Sequence, residues 1–154
     1  MEISWMALRG SSLSARQLHD ILALRIAVFV VEQTCPFQDI DGQDLPESTL
    51  HVAGYSNEKL VAYARVLHVD DSPDAAKITR VIVDDTFRGQ KLGVRLMEKT
   101  MSLIHDHQPG KAIKLSAQSH LVRFYEGFGF KTVSSEYLDD GIPHMDMVSA
   151  DALD

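Results

Sequence analysis

The chain has 154 residues, of which 45% are hydrophobic and 24% charged, and this ordinary composition predicts one globular domain over residues 1–154. Fifteen lysines and arginines against 22 aspartates and glutamates give a formal charge of -7. This acidic balance suits a cationic substrate. It argues against nucleic acid or a membrane surface as a partner, because both are held through basic patches.

The spacing of apolar residues predicts the element order β-α-β-β-β-α-β-α-β-β, with Ser14 as the N-cap of the first helix. The predicted strands cover Ile3–Leu8, Leu50–Tyr55, Leu60–Val69, Ile78–Val83, Ala112–Leu115, Phe130–Val133 and His144–Val148. The predicted helices cover Ala15–Glu32, Arg88–His105 and Leu121–Phe128. Helices interspersed with strands and hairpins favour an α/β (α+β) domain in which helices cover a mixed sheet.

The sequence also bounds the chemistry and the compartment. Cys35 is the only cysteine, so no internal disulfide and no multi-cysteine zinc site can form, and the histidines share no metal-ligand spacing. The N-terminus has no basic segment followed by an apolar one, and the apolar run over residues 21–31 is too short to span a bilayer. We therefore expect a cytoplasmic protein without a metal.

The most informative segment runs from Arg80 to Gly93, RVIVDDTFRGQKLG, where a strand ends and a helix begins on a glycine-containing loop. The first N–H groups of a helix have no internal partner and lie at the positive end of its dipole, so such a loop binds anions, above all phosphate. Arg88 and Lys91 add positive charge. On spacing alone, Gly89 and Gly93 are as consistent with a plain strand–loop–helix connection.

This segment resembles motif A of the GCN5-related N-acetyltransferases (GNATs), [QR]-x-x-G-x-[GA] after a V-x-V strand. Arg88 matches the first position and Gly93 the last, whereas Lys91 replaces the middle glycine. Residues 118–130, QSHLVRFYEGFGF, resemble motif B, N-x-x-A-x-x-F-Y-x-x-x-G-F, with glutamine in place of the usual asparagine. Three further segments, residues 25–33, 39–42 and 140–144, are similar to the ElaA-like subgroup, so the resemblance covers nearly the whole chain.

The resemblance implies the GNAT fold, a mixed sheet of about six to seven strands with helices on both faces. It implies that acetyl-CoA binds where two parallel central strands, Ile78–Val83 and Ala112–Ala117, splay apart, with a β-bulge as the usual device for the splay. Backbone groups of Val81, Ile82 and Val83 would bind the pantetheine arm as an added strand does. The N–H groups of the loop would bind the pyrophosphate: Arg88, Gly89, Gln90, Lys91, Leu92, Gly93 and Val94. Gln118 and Tyr125 complete the implied cofactor site.

The implied reaction is transfer of an acetyl group to a primary amine by direct attack. Tyr125 matches the tyrosine that donates a proton to the CoA thiolate, although the residue alone also reads as a half-buried aromatic beside Phe124. The base is unassigned. Glu32 and His144 are ranked as acceptor-site residues, whereas Arg25 and Glu32 would also satisfy each other as a buried pair. His51, the third candidate, is more typical of a strand-edge histidine.

Two other functions stay open from the sequence. One is an acyl-homoserine-lactone-synthase-like acyltransferase, which would need a basic surface for an acyl carrier protein. The other is a non-catalytic CoA-binding GNAT module, which the off-pattern Lys91 and Gln118 leave open and the presence of Tyr125 argues against.

The acceptor, a small-molecule or peptide amine, is not revealed by the loops 36–50 and 136–144 that would build its site. The acidic cluster within the first of these loops is interpreted as a solvated segment at the acceptor entrance: Asp39, Asp41 and Asp44. A homodimer is the general prior for a homo-oligomer.

Overall fold

Eight strands form one mixed sheet in the computed structural model, which describes residues 2–70 and 75–149. The strands are β1 (Ser4–Arg9), β2 (Leu50–Ser56), β3 (Lys59–Leu67), β4 (Ala75–Val83), β5 (Ala112–Gln118), β6 (Phe130–Thr132), β7 (Tyr137–Asp139) and β8 (Ile142–Ser149). The helices are α1 (Ala15–Arg25), α2 (Leu92–His107) and α3 (Val122–Glu126), and a π-helical segment, Ile26–Glu32, continues α1.

The spatial order of the strands is β1-β2-β3-β4-β5-β8-β6, and β7 pairs with the other end of β8. The central strands β4 and β5 run parallel, whereas the other neighbouring pairs are antiparallel. The predicted mixed α/β fold and element order are confirmed, with two corrections. The sheet gains β7, which gives eight strands instead of six to seven, and α2 begins at Leu92 rather than at Arg88.

Helices cover both faces of the sheet. On one face, Leu92, Leu96, Met97 and Ile104 of α2 are buried in the larger core cluster together with Tyr125 of α3. Their spacing places them on one side of α2, as the sequence predicts. On the other face, Ile21, Leu24 and Val28 pack against β2, β3 and β4 in a smaller cluster. On this second face the helical packing of the described chain ends at β4, apart from the end of the π-helical segment, where Gln33 reaches Gln118 of β5.

A capping box begins α1, and a π-helical turn extends it. The backbone N–H of Gln17 donates to Ser14 Oγ at 3.1 Å, and the Ser14 N–H donates to Gln17 Oε1 at 2.9 Å. The predicted N-cap is therefore confirmed. From Ile26 the helix widens, and the N–H of Gln33 reaches the carbonyl of Val28 at 3.1 Å. Such segments shift the phase of a helix and are frequent at functional sites.

Arginine side chains and aspartates of the loop 36–49 form a largely buried ionic network, called the buried network below; Arg25, Arg65, Asp39 and Asp44 are buried, and Arg80 and Asp41 complete it nearer the surface. Arg25, which is fully buried, donates from Nε to Asp39 Oδ2 at 2.9 Å and from Nη1 to Asp44 Oδ1 at 2.5 Å. The expected pairing of Arg25 with Glu32 is therefore wrong, because the loop folds back over α1 and supplies closer carboxylates. The prediction of a solvated acidic segment is wrong for Asp39 and Asp44, which are buried, whereas Asp41 is exposed as predicted.

This network also sets the protonation of its carboxylates. Burial alone would raise the pKa of Asp41, but the hydrogen bonds from Arg65 and the Gln43 N–H, together with the charges of Arg65 and Arg80, lower it to about 2. In Asp44, hydrogen bonds from Arg25 and Arg65 likewise lower the pKa against the effect of burial. Both groups are therefore ionised at neutral pH, as a network of paired charges requires.

His51 lies at the edge of this network, fully buried in β2. Its Nε2 lies 2.8 Å from the carbonyl oxygen of Asp44, which only accepts, so Nε2 carries the proton and Nδ1 accepts from the Tyr63 hydroxyl at 2.6 Å. Both ring nitrogens are thus used, and His51 is absent from the lining of the cleft described below. The structure supports its reading as a structural histidine.

We expect the free energy of unfolding to fall as the pH drops below about 6.5, because burial lowers the pKa of His51 in the folded state. The unfolded chain then binds the proton more tightly than the folded one, with a steepest slope of about 1.4 kcal/mol per pH unit. Urea unfolding between pH 7 and pH 5 measures it. In His51→Gln, which keeps a donor and an acceptor, this slope should disappear. A slope unchanged in that variant would contradict the assignment.

Candidate active site

The parallel strands β4 and β5 separate halfway along their length. Their pairing runs from Ala75 opposite Ala112 to Ile78 opposite Leu115 and ends there. The edge of β4 that follows, Thr79–Val83, therefore faces an opening instead of a strand. An unpaired edge offers N–H and C=O groups to an extended ligand, which can bind as an additional strand. The splay and the edge at Val81, Ile82 and Val83 lie where the family resemblance implies them.

A β-bulge at Arg80 accompanies the splay. The register between β3 and β4 shifts between Tyr63 and Arg65, and Arg80 adopts a φ of 55°. This left-handed conformation is costly for a residue with a side chain, so contacts must hold it. Arg80 Nε donates to Asp39 Oδ1 at 2.8 Å, and Nη2 donates to the Asp39 carbonyl at 3.1 Å. Through these contacts the buried network holds Arg80 in the conformation of the bulge, next to the point where β4 and β5 separate.

The loop before α2 has the form of an anion site. Gly89 has a φ of 82°, and Lys91, the N-cap of α2, has a φ of 59° and makes no side-chain cap hydrogen bond. Lys91 therefore adopts, at some cost, the left-handed conformation that glycine supplies freely. The helix that follows leaves its first N–H groups free of a side-chain cap, and such groups bind phosphate oxygens.

An ion pair joins this loop to the segment after α1. Arg88 donates from Nη1 to Glu32 Oε2 at 2.7 Å and from Nη2 to Glu32 Oε1 at 3.1 Å, and its Nε donates to the carbonyl of Val83 at 3.1 Å. Both carboxylate oxygens of Glu32 therefore accept hydrogen bonds from the guanidinium of Arg88. It is absent from the residues that line the cleft.

A cleft lies between the splayed strands β4 and β5. Its lining residues come from five regions of the chain: Phe29, Gln33, Cys35, Phe37, Lys77, Ile78, Thr79, Arg80, Val81, Leu115, Ser116, Gln118, Leu121, Tyr125, Asp139, Asp140, Ile142 and His144. Of the residues predicted from sequence, the structure collects Val81, Gln118, Tyr125 and His144 here. The loop from Arg88 to Val94 lies outside this lining, at the start of α2.

Tyr125 is 6% exposed and packs edge-on against Phe124 and Phe130, with ring centroids 5.2 and 6.3 Å away. Burial raises the pKa of Tyr125 to about 12, so the phenol is protonated at neutral pH. No hydrogen bond joins its hydroxyl to another described residue. A protonated, buried and unengaged phenol at the wall of a cleft can donate to a ligand.

His144 stands opposite Gln118 at the open end of the β5–β8 pair. Its Nδ1 lies 2.7 Å from the carbonyl of Ile142, so Nδ1 carries the proton and the neutral ring keeps the lone pair of Nε2. The ring stacks on Tyr137, with centroids 6.2 Å apart. Tyr137 is fixed in turn because its hydroxyl donates to Asp146 Oδ1 at 2.5 Å and accepts from Ser116. His144 is thus an oriented acceptor at the cleft.

Sequence reasoning missed several residues of this cleft. Gln33 lies in the lining and accepts at Oε1 from Gln118 Nε2 at 3.3 Å, which ties the end of the π-helical segment to β5. For Arg80 the sequence did contain a signal, because a charged residue interrupts the apolar run of β4 at the position of the bulge. Tyr137 and Asp139 belong to a strand of three residues, too short to show an alternating pattern.

Residues 2–70 and 75–149 contain neither a metal-binding cluster nor a membrane-spanning helix. No group of three histidine, cysteine, aspartate or glutamate side chains there could hold a metal ion. None of the helices in that part of the chain combines the length and the apolar character needed to cross a bilayer.

A splayed parallel strand pair next to a phosphate-type loop defines the class of acyl-CoA-dependent transferases of the GNAT fold. A family model described as acetyltransferase (GNAT) domain matches residues 18–150. Protein ElaA of Escherichia coli K12 is 50% identical over 145 residues, which cover 94% of this chain and 95% of that protein. The chain therefore belongs to the GNAT acetyltransferase family.

Solved structures agree with this assignment. The crystal structure of Escherichia coli ElaA has a TM-score of 0.91 at 49% identity and covers 96% of this chain and 99% of that chain. An acyl-CoA N-acyltransferase from Pseudomonas aeruginosa has a TM-score of 0.92 at 37% identity and covers 97% and 100% of the two chains. An aminoglycoside 6'-N-acetyltransferase solved with coenzyme A shares the fold alone, with a TM-score of 0.70 at 15% identity over 97% and 96%.

Proposed function

We propose that the chain is an acetyl-CoA-dependent N-acetyltransferase that transfers an acetyl group to a primary amine by direct attack. One observation carries this proposal: a protonated, buried tyrosine and an oriented histidine line the same cleft, at the edge where β4 and β5 separate. These are the acid and the base that acyl transfer from a thioester to an amine requires.

The residues of the chain fit the cofactor. The free edge of β4 from Val81 to Val83 offers backbone groups to the pantetheine arm, and the N–H groups at the start of α2 offer donors to the pyrophosphate. A Cβ at Gly93 would lie 3.5 Å from Phe124 and 3.9 Å from Val83, which are ordinary contacts, so a methyl group fits there and a larger, charged side chain has to extend beyond it. Bound acetyl-CoA supplies the activated thioester carbonyl.

His144 and Tyr125 have complementary roles in this proposal. His144 Nε2 accepts the proton that the amine loses as its nitrogen forms the new bond to carbon, directly or through water. Tyr125 donates its proton to the sulfur as the carbon–sulfur bond breaks, so the overall count of protons is unchanged. Burial raises the pKa of Tyr125. Desolvation in the same cleft also raises the pKa of a thiol, so the proton donor and the sulfur that accepts the proton shift in the same direction.

Calorimetric titration with acetyl-CoA tests the cofactor site. We expect one-to-one binding by the wild-type protein and a loss of affinity of about ten-fold or more in Gly93→Glu, which places bulk and negative charge at the start of α2. Gly93→Ala is the matched control, since its methyl group makes only ordinary contacts. Undiminished affinity in Gly93→Glu would refute the placement of the pyrophosphate, and no binding by the wild type would refute the proposed function.

A pair of variants tests the base. We expect His144→Gln to lower kcat about ten-fold, a modest loss because water can relay a proton in its place. Glu32→Gln should keep kcat within about three-fold, since this carboxylate is engaged with Arg88 and does not line the cleft. Steady-state thiol release with a saturating amine measures both. The opposite ranking would assign the base to Glu32.

A further inference from the structure

Three lysines form a row across the sheet on the face that α2 and α3 leave open. Lys77 of β4 and Lys114 of β5 are direct cross-strand neighbours. Lys114 and Lys131 both pair with Val148, from the two sides of β8. All three lysines are exposed, whereas the neighbours of Lys77 in β4 (Ala76 and Ile78) and of Lys114 in β5 (Ile113 and Leu115) are buried in the core on the opposite face. The row therefore lies on the face of the sheet opposite α2 and α3.

Carboxylates lie near this row but form no ion pair with it: Asp146 is on the same face of β8, where it accepts from Tyr137, and Asp139 and Asp140 line the cleft with Lys77. No ion pair joins Lys77, Lys114 or Lys131 to a described carboxylate, whereas the arginines of the buried network are all paired. Adjacent strands are ~4.8 Å apart, and like charges directly opposite each other destabilise a sheet. In a chain of formal charge -7, such a row is a local exception, and an anionic ligand would neutralise it.

The row is continuous with the candidate active site. Lys77 lines the cleft together with Tyr125 and His144. Along β8, Val148 is four residues from His144, a separation of ~13 Å. A ligand with its amine at His144 and its acid at the lysines must therefore be extended. This span exceeds the few bonds between the amine and the carboxylate of one amino acid, but about three or four extended residues of a peptide cover it.

We propose that the acceptor is an acidic peptide, whose free N-terminal amine reaches His144 and whose carboxylates bind Lys77 and Lys114. This proposal rests on the proposed function. In the transfer, the N-terminal nitrogen forms the new bond to the acetyl carbon as the carbon–sulfur bond breaks. The nitrogen loses one proton and the sulfur gains one. The lysine row takes no part in these bond changes and sets only which amine is bound.

Three peptide amides with free N-termini test the proposal: Ala-Ala-Glu-Glu, Ala-Ala-Gln-Gln and Ala-Ala-Lys-Lys. Thiol release and the mass of the acetylated product give kcat/KM, and calorimetry without acetyl-CoA gives binding of the glutamate peptide. We expect kcat/KM to be about ten-fold or more higher for the glutamate peptide than for the glutamine peptide. Its binding should weaken from low to high salt, because the lysines are exposed and therefore screened.

The double variant Lys77→Glu/Lys114→Glu should lose this preference and favour the lysine peptide. Lys99→Glu, on the exposed side of α2, is the charge-matched control and should keep the preference. Equal rates for the glutamate and glutamine peptides, a preference that survives in the double variant, or acetylation of none of the three peptides would overturn the proposal. In each of these outcomes intact acetyl-CoA binding leaves the proposed function standing, whereas loss of acetyl-CoA binding in the wild type removes both.

Discussion

Tyr125→Phe is expected to lower kcat about 10²-fold while the dissociation constant for acetyl-CoA changes less than about three-fold. The substitution removes one hydroxyl and keeps the ring that packs against Phe124 and Phe130. Because that hydroxyl bonds to no other described residue, its loss leaves no buried partner unsatisfied and the fold should be kept. A loss confined to kcat then reports an interaction made during the reaction.

The control for this variant is Tyr55→Phe on β2, a half-buried tyrosine outside the cleft lining. Thiol release measures kcat, calorimetry measures acetyl-CoA binding, and thermal unfolding checks that both variants fold. Unchanged turnover in Tyr125→Phe would remove this residue from the mechanism. A binding loss as large as the loss of kcat would give the hydroxyl a role in holding the cofactor instead of in proton transfer.

The pH dependence of turnover gives a second test of Tyr125. Its pKa is raised to about 12 by burial, so the phenol stays protonated until far above neutral pH. Turnover should therefore show no alkaline decline caused by Tyr125 below about pH 11. If the wild-type protein has an alkaline decline with a midpoint well below that value, and Tyr125→Phe lacks it, the phenol is more acidic than its burial indicates.

The order of elements was predictable because it depends on local patterns, whereas the position of the cleft followed from the family resemblance. Apolar spacing marks α2, and the motif around Gly93 places the phosphate-type loop at its start. The exact start of α2 was not predictable, since it depends on the left-handed conformation of Lys91, a conformation that nothing in a lysine's propensity favours. The sequence therefore predicted helix over the turn from Arg88 to Lys91.

The charge pairings were beyond the sequence because they depend on tertiary placement. Arg25 and Glu32 share one side of a helical pattern, and that local relation suggested a pair. The structure gives each a more distant partner: Asp39 is 14 residues from Arg25, and Arg88 is 56 residues from Glu32. The lysine row has the same origin. Its members lie in three separate strands, and only the register of the sheet brings them side by side.

Arg25→Met is expected to lower the free energy of unfolding by about 3–5 kcal/mol, the usual cost of removing one partner from a buried ion pair. Methionine fills much of the space of the arginine chain but leaves Asp39 and Asp44 with fewer donors while both stay buried. Asp44 keeps its hydrogen bond from Arg65, so the variant should still fold and can be measured by urea unfolding. Arg16→Ala is the control, because its pair with Asp20 is exposed and should change stability by less than about 1 kcal/mol.

Asp39→Asn separates the two duties of this network, because Asp39 accepts from Arg25 and also from Arg80 at the bulge of β4. The variant keeps the backbone carbonyl of residue 39, which accepts from both arginines. It weakens the hydrogen bonds from the arginines to the side chain, because an amide carries no negative charge. We expect a loss of stability and, beyond it, an affinity for acetyl-CoA lowered about ten-fold, because the left-handed Arg80 relaxes and the splayed edge narrows. Arg25→Met, which leaves the Arg80–Asp39 contact in place, should keep that affinity within about three-fold at temperatures where it is folded. Equal affinity losses in both variants would show that the network supports the cleft through overall stability and not through the bulge.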